Sequence, residues 1–329
     1  MYQERDRQSN INPLILLIFT ILAGIGLWIP SLTGIYKVSE LPTDSLLYNL
    51  LPQLPQTSIG AIIAAWSIVT VVAVGLFFLN RSFLFIRTET LFPVFMMIFL
   101  CGLSSISHFL SIGYFCMLLI IVAVIRFLGM YENKHAAWNA FDIAFCLSIA
   151  SLIYFPSIWY LLVFIIGYIL YNKFNFQVIS ASIFGLLFPY MLAAGSLYLF
   201  DKLDILTTYF NNSIYDVYFH IEGSPVEWME AAVIILVFLI SLVAFLGQYT
   251  NDKIRPRTTM LFFYLLLFCS CILLFLYPNS LPKQGPIIYF SISITLSHFF
   301  AINNTRFSKT VFYMMTSLLV SLFVIQNII

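Results

Sequence analysis

Residues 231–240 read AAVIILVFLI, a run of apolar residues with no polar position between them. A strand of a membrane β-barrel alternates apolar and polar residues, whereas a membrane-spanning helix is apolar over its whole length. We therefore expect an all-α fold, a polytopic bundle of transmembrane helices, each with about 20 apolar residues to cross the hydrocarbon layer. The predicted eleven spans are residues 12–30, 58–79, 91–105, 109–127, 138–154, 157–172, 177–199, 231–248, 258–277, 285–302 and 310–327.

The amino-acid composition also indicates a membrane protein. Of 329 residues, 61% are hydrophobic and 9% are charged, against about 25% charged residues in a soluble domain. One water-soluble core cannot hide that much apolar surface, so the lipid bilayer is the expected partner of the chain. The richest short basic run is Lys253, Arg255 and Arg257, which is too sparse to indicate binding to nucleic acid.

Basic residues alternate between the predicted connections. If the N-terminus is cytoplasmic, 12 of the 15 Lys and Arg residues lie on the cytoplasmic side, and only Lys37, Lys202 and Lys283 lie outside. An excess of Lys and Arg in cytoplasmic loops is the usual orientation signal. We predict a cytoplasmic N-terminus and an exterior C-terminus, which an odd number of spans requires.

The chain is predicted to be a single integral membrane domain, 1–329, with two sizeable exterior loops. Loop 31–57 contains leucines at helical spacing, and loop 201–230 repeats Leu206, Phe210 and Ile214 every four residues. Such a stripe is typical of a helix that lies in the headgroup layer with its apolar face toward the lipid. Interfacial helices are expected in both loops.

Few ionisable residues lie within predicted spans, where each costs free energy. Arg126 closes the fourth span and Asp142 enters the fifth, so the two side chains flank one cytoplasmic loop and can pair. The pair either fastens two helices or contributes to substrate binding.

His298 lies in the tenth span, where Ser291 and Thr295 share its helix face. A polar stripe of this kind lines a hydrophilic path or a substrate site in some membrane proteins. Small hydroxyl residues also let helices pack closely. Both interpretations are open from the sequence.

Glu40, Asp44, His220, Glu222 and Glu227 form an acidic group on the predicted exterior side, where carboxylates can act as general bases or hold a divalent cation. The alternative is a solvated acidic face. The sequence contains no metal-binding motif such as His-Glu-x-x-His, so no metal ligands are assigned.

Residues 126–131 read RFLGMY and residues 142–156 read DIAFCLSIASLIYFP. This hairpin resembles that of polytopic C-superfamily glycosyltransferases, which use lipid-phosphate-linked sugars. It resembles still more an uncharacterised family of bacterial inner-membrane proteins of similar length. The first resemblance implies a catalytic carboxylate in the first exterior loop, where Glu40 and Asp44 are available, although the paired acidic motif of those enzymes is absent.

Three functions follow as hypotheses for a multi-pass protein of the bacterial inner membrane. The first is a non-enzymatic envelope component that assembles with a protein partner. The second is a transferase, with Glu40 or Asp44 as the base and with Mg²⁺ or Mn²⁺ as the ion that would hold the phosphate of a lipid-linked sugar. The third is a transporter or flippase built around His298.

Overall fold

The fold is all-α in a computed structural model of the chain. No strand occurs in the described part of the chain, as the unbroken apolar runs predict. The structure describes residues 13–33, 58–131, 136–215, 225–249, 254–277, 280–303 and 305–328.

Thirteen α-helices form within these ranges. Two 3₁₀ turns, Ser105–His108 and Phe155–Trp159, begin the hairpin connections after α4 and α6. The α-helices are α1 Pro13–Gly26, α2 Ile29–Leu32, α3 Ile59–Phe83, α4 Phe92–Leu103, α5 Ile112–Gly129, α6 Ala136–Ile153, α7 Tyr160–Leu170, α8 Phe176–Leu199, α9 Leu203–Tyr215, α10 Pro225–Gln248, α11 Ile254–Leu276, α12 Leu281–Ile302 and α13 Arg306–Ile328.

The described helices include nine segments that are long and apolar enough to cross a membrane, so the protein is a multi-pass membrane protein. The other two predicted spans are shorter helical segments, Phe92–Leu103 and Phe155–Leu170. Helix α4 has 12 residues and is about 18 Å long, short of the ~30 Å hydrocarbon layer. The count of eleven full crossings and the orientation of the termini stay predictions.

Local sequence signals set where several helices begin and end. Ser58 caps α3, since its hydroxyl oxygen accepts a hydrogen bond from the Ala61 amide at 3.2 Å. Asn175 caps α8, since its side-chain oxygen accepts a hydrogen bond from the Val178 amide at 2.9 Å. Leu84 ends α3 in a left-handed conformation with φ 48°.

Helices α4 and α12 form the centre of the bundle. Every residue of α4 is buried, and α4 packs against α1, α3 and α12. Helix α12 also contacts α5, α10 and α11. Helix α12, which carries His298 and its neighbouring hydroxyl residues, is therefore surrounded by other helices. The peripheral helices α8 and α10 expose most of their apolar surface.

Helices α6 and α8 approach each other closely through a glycine. A Cβ atom on Gly185 would lie 2.4 Å from the Phe141 carbonyl oxygen. Such small residues bring backbones together where van der Waals contact, rather than water exclusion, holds helices in a bilayer. Gly185 therefore fixes the α6–α8 spacing.

The predicted second exterior loop contains helix α9. The Tyr209 hydroxyl on this helix donates a hydrogen bond to the Ser151 carbonyl oxygen at 2.8 Å. The Phe210 and Phe155 rings are in contact, with 5.7 Å between their centroids. Helix α9 is thus attached to the α6–α7 hairpin. Its location at the membrane surface stays a prediction, and most of loop 31–57 lies outside the described residues.

Candidate functional site

The two candidate catalytic residues, Glu40 and Asp44, lie outside the described residues. Their catalytic role stays a prediction. The other candidates, Arg126, Asp142 and His298, all lie on described helices, and the structure does not bring all three together: the first two pair at the α5–α6 loop and His298 lies on α12.

Arg126 and Asp142 form an ion pair. The Arg126 Nε atom lies 3.2 Å from Asp142 Oδ2, and the side chains are 54% and 38% exposed. Exposed ion pairs contribute about 0–1 kcal/mol to stability. The pair joins the end of α5 to the second turn of α6, as expected of a helix fastener, and a role in substrate binding stays a prediction.

His298 is buried in the bundle centre. Its ring contacts Phe245 at 5.8 Å between centroids, and the Arg87 guanidinium is near enough to act on it electrostatically. Within the described part of the chain, His298 Nε2 makes no hydrogen bond. No described cavity is lined by this histidine.

The hydroxyl residues around His298 bond to their own helix. Ser291 donates to the Ile287 carbonyl at 2.9 Å, and Thr295 donates to Ile292 at 3.1 Å. These hydroxyls donate their protons within α12, and their oxygens can still accept hydrogen bonds. The role of the stripe in substrate binding stays a prediction.

A second polar cluster lies where α7, α11 and α12 meet. The Tyr160 hydroxyl donates to Gln284 Oε1 at 2.6 Å and lies 2.9 Å from Ser270 Oγ. The Lys283 ammonium lies 5.4 Å from the centroid of the Tyr154 ring. All five side chains are buried, and we call them the polar cluster.

The polar cluster contains buried atoms without a hydrogen bond. Within the described residues these include the Tyr154 hydroxyl and Gln284 Nε2, although Gln284 and Ser280 lie near that hydroxyl. Buried polar atoms of this kind often hold water or a polar ligand. The sequence signal for this cluster is the pair Lys283-Gln284 at the start of a span.

His108 holds the α4–α5 connection to the end of the first span. Its Nε2 lies 2.9 Å from the Gly102 carbonyl oxygen, which only accepts, so Nε2 carries the proton. The Ser31 hydroxyl bonds to Nδ1, and the Trp28 ring contacts the imidazole at 4.3 Å. This link between distant parts of the chain was not predicted.

Burial lowers the pKa of His108, which lies between two helices, to about 4, and the hydrogen bond to Gly102 opposes the shift. The unfolded state takes up a proton near pH 6.5 and the folded state near pH 4. The stability that depends on neutral His108 is therefore complete above pH 6.5 and is lost as the pH falls toward 4, by up to about 3 kcal/mol.

We expect His108→Gln to remove this part of the pH dependence, because the Gln amide also donates to Gly102 without titrating. The measurement is the free energy of unfolding in detergent at several pH values between 4 and 7. Parallel curves for the wild type and His108→Gln would contradict the assignment.

The largest described cavity is a groove of about 800 Å³ between α1, α4 and α13. A second cavity of about 500 Å³ lies between α10, α12 and the start of α13. Both are lined mainly by apolar side chains. Among the described residues, no three His, Cys, Asp or Glu side chains are grouped closely enough to hold a metal ion.

The chain was compared with known proteins. A family model described as a family of unknown function (DUF6427) matches residues 47–329. No curated protein and no solved structure matches the chain. The family match agrees with the expected resemblance to an uncharacterised family, whereas the similarity to glycosyltransferases and the bacterial origin stay predictions.

Proposed function

The chain belongs to the family of unknown function DUF6427, and from its own residues we propose that it is a non-catalytic component of the bacterial inner membrane. In this role it assembles with a protein partner in a cell-envelope process. The observation that carries the proposal is the chemistry of the groove between α1, α4 and α13. This largest described cavity is apolar, and the described residues that line it include no charged side chain.

The polar side chains of the described helices support the same function. Arg126 and Asp142 pair with each other across the α5–α6 connection, and the hydroxyls near His298 bond within α12. The ion pair joins two helices, and the hydroxyl protons are used within one helix. A transporter needs polar groups that face a path through the bilayer, and the stripe around His298 lines no described cavity.

A transferase for a lipid-linked sugar needs cationic groups that grip a phosphate at the exterior surface. Lys283 is one of three basic residues expected there. It is only 9% exposed, and its ammonium faces the Tyr154 ring. This arrangement weighs against the transferase.

Helix α9 offers a surface for the partner. Its attachment to the hairpin through Tyr209 leaves Asp204, Thr207 and Thr208 exposed. A helix that is fixed by one face and open on the other is suited to docking. A photo-crosslinking residue at Thr208 is the matching probe, because this position is exposed while Tyr209 beside it is engaged.

The deciding experiment is complementation of a strain that lacks its own copy. We expect a double variant, Glu40→Gln with Asp44→Asn, to restore the wild-type phenotype, because a non-catalytic component needs no general base. Loss of complementation at normal membrane levels of the variant would overturn the proposal in favour of a transferase.

Binding of a protein partner is tested by photo-crosslinking in the same strain. Crosslinking from Thr208 is expected to give an adduct of one defined mass, and depletion of the captured protein is expected to reproduce the deletion phenotype. Absence of any adduct from Thr207 and Thr208 would contradict docking on α9.

A further inference from the structure

The groove between α1, α4 and α13 has walls formed by the first and last described helices, with α4 as its floor. Phe19, Ala23 and Gly26 form one side, and Tyr313 and Ser317 form the other. Flanking residues of both outer helices, such as Leu14 and Leu318, are exposed apolar side chains. The groove is therefore continuous with the surface that the transmembrane helices present to lipid.

The Ser and Thr hydroxyl groups on its wall already have hydrogen-bond partners within α13. Thr316 donates to the Phe312 carbonyl at 2.9 Å, and Ser321 donates to Leu318 at 2.7 Å. Ser317 donates to the Met314 carbonyl at 3.1 Å. These three hydroxyls are satisfied within α13, so an apolar occupant does not leave them unpaired.

The dimensions of the groove limit what fits. Its walls extend from Phe19 to Leu27 and from Phe312 to Ser321. Each wall is about 12–14 Å long at the rise of an α-helix. This length is close to the thickness of one leaflet, which is half of a ~30 Å hydrocarbon layer. The groove therefore has the length of a hydrocarbon chain that extends through one leaflet.

We propose that this groove binds an acyl chain of a bilayer phospholipid, which lies along α1 and α13 within one leaflet. Three observations lead to this occupant: the continuity with the lipid-facing surface, the satisfied Ser and Thr hydroxyls, and a length close to one leaflet. The bound chain takes the place of side-chain packing between α1 and α13. The site is the same groove whose apolar lining supports the function proposed above, but binding of an acyl chain there does not require that function.

Gly26 provides the test, because a Cβ atom on it would meet nothing within 4 Å while the residue lines the groove. Gly26→Leu therefore adds apolar volume to the lining of the groove without a clash at Cβ. Gly75 on α3 is the matched control, since a Cβ there also meets nothing within 4 Å and the residue is away from the groove.

The probe is phosphatidylcholine with a diazirine near the end of one acyl chain, mixed into phosphatidylcholine vesicles that hold the full-length protein. We expect photolabel to concentrate on α13 peptides that contain residues 313–321. Gly26→Leu is expected to reduce this label several-fold, and Gly75→Leu is expected to leave it unchanged.

A second variant, Ser317→Leu, narrows the groove from the opposite wall and is expected to reduce the label on α1 peptides. Label on α1 and α13 that equals the label on the exposed face of α10, or that neither filling variant reduces, would overturn the proposal. Crosslinks between the groove walls of two chains, with no lipid label there, would assign the groove to a second copy instead.

Discussion

Gly185→Ala is expected to lower the free energy of unfolding by about 3 kcal/mol, the upper end for overpacking in a tight interface. The added Cβ would lie 2.4 Å from the Phe141 carbonyl oxygen and 3.2 Å from the Ala144 Cβ. The nearest atom belongs to the backbone and cannot rotate away. Helices α6 and α8 must therefore separate, and the hydrogen bond from Ser148 Oγ to the Leu186 carbonyl, now 2.7 Å, is stretched.

Gly195 on the same helix is the matched control. A Cβ atom there meets nothing within 4 Å, so Gly195→Ala is expected to leave stability unchanged or raise it by up to about 1 kcal/mol through helix propensity. Equilibrium unfolding in mixed micelles, followed by circular dichroism, gives both values. Equal shifts for the two variants would contradict the close approach of α6 and α8.

Gly113→Ala is expected to have a comparable effect, about 2–3 kcal/mol, at a different interface. Its Cβ would lie 2.4 Å from the Lys283 carbonyl oxygen and 2.6 Å from that of Pro282. Both atoms belong to the backbone at the start of α12. A hydrogen bond from Ser111 Oγ to the Pro282 carbonyl oxygen, 2.7 Å long, also joins the start of α5 to the start of α12.

Displacement of the start of α12 has a second consequence, because Lys283 and Gln284 belong to the polar cluster. We expect Cys116, which is fully buried and close to Lys283 and Ser157, to react faster with a maleimide in Gly113→Ala. Gly129→Ala, on the same helix with open space around the new Cβ, is the control. Unchanged maleimide labelling of Cys116 together with normal stability would contradict this packing.

The positions of the helices could be predicted because they depend on local composition. A run such as residues 231–240 needs no knowledge of its neighbours to be assigned as a helix, and it lies within α10. The length of α4 could not be predicted in the same way. Residues 91–105 are apolar enough for a span, yet only contact with α1, α3 and α12 determines that a short, fully buried helix forms there.

The candidate site could be predicted only where its residues are neighbours along the chain. Arg126 and Asp142 flank a single connection, so their pairing followed from topology, and the ion pair is present. Tyr160 and Gln284 are separated by 124 positions, and Ser31 and His108 by 77. Such contacts depend on which helices lie next to each other in the bundle. The hydrophobic pattern of the sequence does not specify this arrangement.

The complete burial of α4 also bears on how the protein is made. This helix packs against α1 and α3, which precede it, and against α12, which is synthesised roughly 180 residues later. At about 5–20 residues per second, the α12 side of α4 stays uncovered for roughly 10–40 s of translation. During insertion of this chain, the membrane machinery must therefore protect α4, which is too short to span the bilayer. It must do so until α12 has been synthesised and can pack against it.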